Sequence, residues 1–200
     1  MNDSCNKSNF FAMLSRMKYV NRWGLMRNTI QESLSDHTMD VIIITHALVT
    51  IGNVYFGKDQ NENRAALLAA FHDAPEILTG DMPTPVKYYD PEVKNAYSKV
   101  EEAAVEKMLN SVPEEMRPGY EKLLRPEGDE DKALLKYVKA ADKISALIKC
   151  IEEEQMGNRD FESARVTTEN AIKGLNMPEV DYFMKYFMQG YYKTLDELQS

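Results

Sequence analysis

Cysteine is scarce in this chain, with two in 200 residues, Cys5 and Cys150. No Cys-x-x-Cys spacing occurs, which argues against a zinc–thiolate site. A single disulfide is conceivable, but two free or buried thiols in a reducing compartment is the expectation. Long apolar runs are missing too. The longest, Val41 to Ile44, is followed at once by Thr45 and His46, far short of the ~20 residues of a membrane span. The N-terminus lacks the basic start and apolar stretch of a secretory signal, so the expected setting is cytoplasmic, without a membrane partner. Positive charge is in deficit: 24 Lys and Arg stand against 32 Asp and Glu, a net charge of −8. Sequence-independent binding to a nucleic acid polymer needs a basic footprint and is not expected. A small phosphorylated ligand needs only a locally positive pocket.

The periodicity that is present is helical nearly everywhere, and no alternating strand is found. Phe10, Phe11, Leu14 and Met17 mark a first helix. Ser35 or Asp36 can cap a second running to about Tyr55, whose middle is apolar on several faces and therefore buried. A third is predicted from about Asn63 to Asp73 and should stop or bend at Pro75. The run from Thr79 to Pro85 is dense in helix breakers and reads as a loop, a favoured place for binding residues on a rigid scaffold. Further helices are expected at roughly 91–111, 114–125, 130–156, 159–174 and 178–198. The acidic run 127–131 reads as a solvated loop, since its spacing lacks a calcium-loop pattern. Without repeats or low-complexity linkers, the expectation is an all-α, globular helical bundle, one domain over 1–200. Its core is built from helices 36–55, 63–73 and 130–156.

Three histidines are available: His37, His46 and His72. His37 and His46 share a helix but stand half a turn out of phase, so they cannot ligate one ion. His46 reads as a hydrogen-bonded core residue. His72 is followed by Asp73 at the end of an apolar helix, where two polar side chains need partners. Asp142 lies among small and apolar residues on a core helix and is expected to be buried. Its alternatives are an ion pair with Lys139 or Lys143, or a metal. Two imidazoles and two carboxylates suit a divalent transition ion such as Mn, Fe, Co or Zn, with positions left for water.

These residues resemble the H…HD…D metal site of the HD-domain phosphohydrolases, and the chain is similar to the bacterial 5′-deoxynucleotidases within that superfamily. The likeness is carried by Phe10 to Arg16, Asn21 to Arg27, Ser35-Asp36-His37-Thr38, His72-Asp73-Ala74-Pro75-Glu76, Leu78 to Tyr88, Lys139 to Asp142 and Met177 to Phe187. The chain departs from the family pattern at Asp36, often Glu, and at Pro75, often a small residue. The resemblance implies that His37, His72, Asp73 and Asp142 hold one divalent metal ion. It implies that Glu76 and Asp81 handle water and protons. Arg22 and Trp23 would meet phosphate, sugar and base, with His37 and Asp81 also touching substrate. Thr84, Pro85, Val86 and Lys87 would complete the pocket. The implied activity is hydrolysis of 2′-deoxyribonucleoside 5′-monophosphates by a homodimer; the aromatic stretch 182–192 can supply its interface, and its helical spacing fits a core face equally well. The alternatives are an HD phosphohydrolase for nucleoside triphosphates or guanosine polyphosphates, and a non-catalytic nucleotide-binding module.

Overall fold

A computed structural model describes residues 8–87 and 89–199. Cys5 and Tyr88 lie outside this set. Among the described residues there is no β-strand, only an isolated bridge between Asn21 and Ser33. Eleven α-helices are described: α1 (Phe10–Leu14), α2 (Leu34–Phe56), α3 (Glu62–Phe71), α4 (Glu76–Thr79), α5 (Thr84–Lys87), α6 (Pro91–Leu109), α7 (Arg117–Leu124), α8 (Asp129–Gln155), α9 (Glu162–Lys173), α10 (Pro178–Tyr186) and α11 (Leu195–Leu198). Three 3-10 turns, Ser15–Tyr19, Arg159–Phe161 and Met188–Tyr192, join them.

The core is laid down by α2, α3 and α8, as their apolar faces predict. Val41, Ile44 and Leu48 of α2 meet Ala65, Leu68 and Ala69 of α3 and Leu134, Tyr137, Ile144 and Ile148 of α8. Val180 and Phe183 of α10 close one side. A second, smaller cluster of Phe10, Ala74, Met108 and Val112 anchors α1 and α6 beside the segment after His72.

Several boundaries differ from the sequence reading, each for a local reason. The cap of α2 is Ser33, not Ser35 or Asp36: its hydroxyl accepts from the Asp36 amide at 3.3 Å while Asp36 accepts from the Ser33 amide at 3.0 Å, a reciprocal box that satisfies two orphan donors. The helix ends at Gly57, whose φ of 62° suits glycine. Asp129, Glu130 and Asp131 are not a loop but the first turn of α8, where carboxylates favour the positive helix end. The stretch 178–198 is not one helix: it breaks after Tyr186 into a 3-10 turn and the short α11. The helix α2 also corrects the expectation of no span-length segment, since by length and composition alone it could cross a membrane. Its inner face is packed in the core, while Met39, Ile43, Val54 and Tyr55 point outward, each more than half exposed.

Candidate metal centre and nucleotide cleft

The centre forms where α2, the turn after α3, and α8 place His37, the His72-Asp73 pair and Asp142 side by side. His37 sits in the second turn of α2, and its ring is fully buried. Its Nδ1 lies 3.0 Å from Ser145 Oγ on α8. His72 and Asp73 occupy a turn, because Pro75 cannot donate an amide to the Phe71 carbonyl. The chain tightens instead, with the Ala74 amide donating to Phe71 at 3.2 Å. The His72 Nδ1 lies 2.7 Å from the Ala69 carbonyl. A carbonyl only accepts, so Nδ1 carries the proton there and Nε2 keeps a lone pair in the neutral ring.

Both Nε2 atoms are buried and lack a hydrogen-bond partner. They point instead at carboxylates: His72 Nε2 is 3.0 Å from Asp73 Oδ2, and His37 Nε2 is 3.5 Å from Asp73 Oδ2 and 3.3 Å from Asp142 Oδ1. Ligand atoms of His37, His72 and Asp73 all fall within 4.8 Å of one another. Two orphaned imidazole nitrogens facing two carboxylates, each ring fixed through its other nitrogen, fit a divalent cation and its supporting hydrogen bonds. Asp142 is 42% exposed at its side chain rather than buried. It borders a cleft lined by Leu68, Phe71, Leu124, Leu135 and Val138 as well as His72 and Asp73. No ion pair joins it to Lys139 or Lys143 among the described residues.

The electrostatics follow from this crowding. Burial acts to lower the His72 pKa, but the Asp73 and Asp142 carboxylates outweigh it and raise the group to about 9. Burial acts in the opposite sense on Asp73, and His72 and His37 hold it well below the usual carboxylate range. Glu76 opens α4, one turn beyond His72, and is 8% exposed. Burial first, then the Asp73 and Asp81 carboxylates, push its pKa to about 8 against the pull of Lys87 and Arg22. One of its oxygens has no partner.

Arg22 and Trp23 project from the loop between the first 3-10 turn and α2. Trp23 adopts φ 59°, a left-handed conformation that a bulky residue rarely takes and that marks stored strain. Its indole N–H donates to Glu32 Oε2 at 2.8 Å, the same oxygen that lies 3.4 Å from Arg22 Nη1. The indole ring leans on Phe161 at 5.3 Å between centroids. Lys87 lies over Tyr97 and pairs with Glu101 at 2.9 Å. The predicted loop, Thr79 to Pro85, is shorter than expected: Thr79 ends α4, and a helical turn, α5, begins at Thr84. Thr84 and Pro85 belong to it by backbone, and their side chains are outside the described set; Val86 is exposed. Tyr97 also donates to the Gly80 carbonyl at 3.2 Å, holding the segment that bears half-buried Asp81. His46 is exposed, not a core residue: the half-turn offset from buried His37 takes it to solvent, beside Thr50.

Sequence reasoning did not single out Ser145, Glu32, Phe161, Tyr97 or Glu101. Ser145 had a signal, three residues past Asp142 on the same helix face. The others reach their partners only through tertiary contact.

The family model for "5′-deoxynucleotidase YfbR-like" proteins matches residues 9–191. The chain belongs to this family. Similar relatives include 5′-deoxynucleotidase YfbR of Shigella boydii, 43% identical over 196 residues, and a 5′-deoxynucleotidase of Erwinia tasmaniensis, 42% identical over 193. The first alignment covers 97% of both chains, the second 96% of this chain and 97% of the relative. Among solved structures, an HD-domain phosphohydrolase from Listeria innocua superposes with a TM-score of 0.78 at 24% identity, covering 96% of this chain and 91% of that one. A cyanophage S-2L HD phosphohydrolase, described as bound to dA and one catalytic Zn2+ ion, gives 0.65 at 20%, covering 92% and 96%. These likenesses place the YfbR-like chain in the HD-domain helical fold.

Proposed function

We propose that this member of the YfbR-like family hydrolyses 2′-deoxyribonucleoside 5′-monophosphates to the deoxynucleoside and phosphate. The observation that carries the reading is the pair of buried, unpartnered Nε2 atoms of His37 and His72, aimed at Asp73 and Asp142, in a chain 43% identical to a named 5′-deoxynucleotidase. These four side chains would hold one divalent ion, Mn, Co, Fe or Zn. When bound, such an ion supplies Lewis acidity toward the phosphate and lowers the pKa of water.

The chain's own groups do the rest. Arg22 offers guanidinium donors to phosphate oxygens, with its Nε still unpartnered. Lys87 adds a second cation once it is shared between Glu101 and the phosphate. Glu76, buried one turn beyond His72 with an unpartnered oxygen, would pass a proton to the leaving 5′-oxygen, with Asp81 also handling protons. Trp23 presents an apolar wall to the sugar, where a ribose 2′-hydroxyl would lose its hydrogen bonds. Thr84, Pro85 and Val86 would close the far side of the pocket. His37 and Asp81 would also touch the substrate.

We also propose a homodimer in the cytoplasm, with no nucleic acid polymer or membrane as partner. Exposed Tyr186, Phe187, Tyr191 and Tyr192 support the dimer. They run into Tyr55 through Tyr182, which stacks on Tyr55 at a centroid distance of 4.5 Å. The buried, unpaired Cys150 suits a reducing compartment.

The test is a phosphate-release screen of deoxyribo- and ribonucleoside mono- and triphosphates with Mn2+, Co2+ and Zn2+. Release of orthophosphate from the deoxy monophosphates is expected. Silence with every metal, or release confined to triphosphates, overturns the reading. Asp142→Ala should lose metal and activity while keeping its helix content; full activity in that variant removes Asp142 from the ligand set.

A further inference from the structure

Glu153 is a carboxylate with no exposed surface in the last turn of α8. Both features are unfavourable: a buried charge is costly, and a negative side chain opposes the negative end of the helix. Its partners explain why it is tolerated. It accepts from the Thr29 amide at 2.8 Å, the Ile30 amide at 3.0 Å and Asn158 Nδ2 at 2.7 Å, and it pairs with buried Lys149. Lys149 in turn donates to the Ile30 carbonyl. Asn158 donates to the Arg27 carbonyl at 2.6 Å. Every one of these bonds but the ion pair and that to Asn158 Nδ2 goes to the backbone of one loop, and that loop carries Arg22 and Trp23.

The loop is pinched at its base by the Asn21–Ser33 bridge and by Leu34 donating to Val20 at 2.8 Å. Its tip is fastened by Glu153 through the Thr29 and Ile30 amides and, on the exposed side, by Arg27 donating to both Asp160 oxygens at 2.7 Å. Phe161, which supports the Trp23 ring, lies beneath the Lys149 ammonium at 5.7 Å. Asp142, Ser145, Lys149 and Glu153 are spaced by three, four and four residues, so they share one face of α8. That face approaches His37 Nε2 with Asp142, fixes His37 Nδ1 with Ser145, and fastens the Arg22–Trp23 loop with Lys149 and Glu153.

We infer that Glu153, acting with Lys149, is a positioning residue for sugar recognition. It holds the backbone of the loop so that Trp23 keeps its strained conformation and its contacts with Glu32 and Phe161. This rests on the deoxynucleotidase reading for its kinetic consequence, but the positional consequence stands alone. Trp23 is the only tryptophan in the chain, so intrinsic fluorescence reports directly on it.

The experiment compares wild type with Glu153→Gln and with Asn158→Ala, a milder variant at a partly exposed position that covers the case of an unfolded Glu153→Gln protein. Metal content and helix content should match wild type. Trp emission should shift to longer wavelength, and acrylamide quenching should rise about twofold. With dAMP, KM should rise about tenfold in Glu153→Gln with kcat changed less, and the dAMP/AMP ratio of kcat/KM should narrow about three- to tenfold. In a Trp23→Ala background, Glu153→Gln should leave that ratio unchanged. Unaltered fluorescence and quenching in both variants overturns the positioning role. An undiminished ratio, or an equal narrowing in the Trp23→Ala background, overturns its action on specificity through Trp23. A wild type without any deoxy preference overturns the functional reading and the specificity claim, and leaves the fluorescence result to decide the positioning role.

Discussion

At the scale of single residues, the centre combines groups that hold opposite protonation states at the same pH. Glu76 has a folded pKa near 8 against an ordinary 4.5, so between those values the folded state binds more protons than the unfolded one. Stability therefore falls as pH rises through that window. Metal-free Glu76→Gln should match wild type in melting temperature near pH 4 and exceed it near pH 8; equal curves at both pH values would show that Glu76 is not strained by burial. The same variant loses a transferable proton, and Glu76→Ala should lower kcat by ~10²-fold with metal retained. Activity within threefold of wild type would remove it from the chemistry. The proposed ligands His37, His72, Asp73 and Asp142 were legible because their chemistry is rare in an apolar helical context. Glu32 and Glu153 were not: on a helix or in a loop a glutamate is ordinary until folding brings amides and an indole N–H to it.

At the scale of elements, the apolar faces of α2, α3 and α8 predicted the core correctly, because burial there is decided by the helical period itself. Boundaries were less legible, since caps depend on competition between neighbours. Ser33 won over Ser35 because Asp36 stands three residues on and can answer it. Ser33→Ala should cost about 1 kcal/mol, or ~2–4 °C in melting temperature for a chain of this size, and differential scanning calorimetry can resolve that. The loop 21–33 was invisible as a structured unit, because nothing in its own sequence closes it. Its fastening has an acid signature. Burial would raise the Glu153 pKa, but Lys149, the Ile30 and Thr29 amides and Asn158 together bring it down to about 2. A carboxyl depressed in this way contributes stability that is complete above its unfolded pKa and lost as pH falls toward 2. Wild type should lose melting temperature steeply between about pH 4.5 and pH 2, and Glu153→Gln more gently; identical slopes would mean that the pair is not formed.

At the scale of the whole molecule, the exposed side of α2 and the aromatic end of α10 are the least protein-like surfaces described. Exposed Tyr55, Tyr186 and Phe187 meet the half-buried Tyr182 ring, and such rings in contact ordinarily mark an interaction site where they form a large patch. Replacing Tyr186, 56% exposed, with Glu should move a dimer toward monomer in sedimentation velocity while leaving metal content unchanged. A monomeric wild type at micromolar concentration would instead leave the stripe without that role. The sequence carried the aromatic spacing but not its direction, since the same period fits an inward face. Only the break after Tyr186, and the burial of Phe183 beside exposed Tyr186, separates the two.

The distance along the chain between His37 and Asp142 has a consequence for synthesis. The imidazoles and Asp73 leave the ribosome first, and the helix that completes the set follows some seventy residues later, on the order of several seconds at ordinary translation rates. For that interval α2 and α3 have each other to pack against but not α8, whose Leu134, Tyr137, Ile144 and Ile148 cover their apolar residues in the folded chain. The nascent chain would then carry three of the four proposed ligands beside apolar surface that α8 has yet to cover. Ion capture and chaperone engagement would therefore compete for the same brief intermediate.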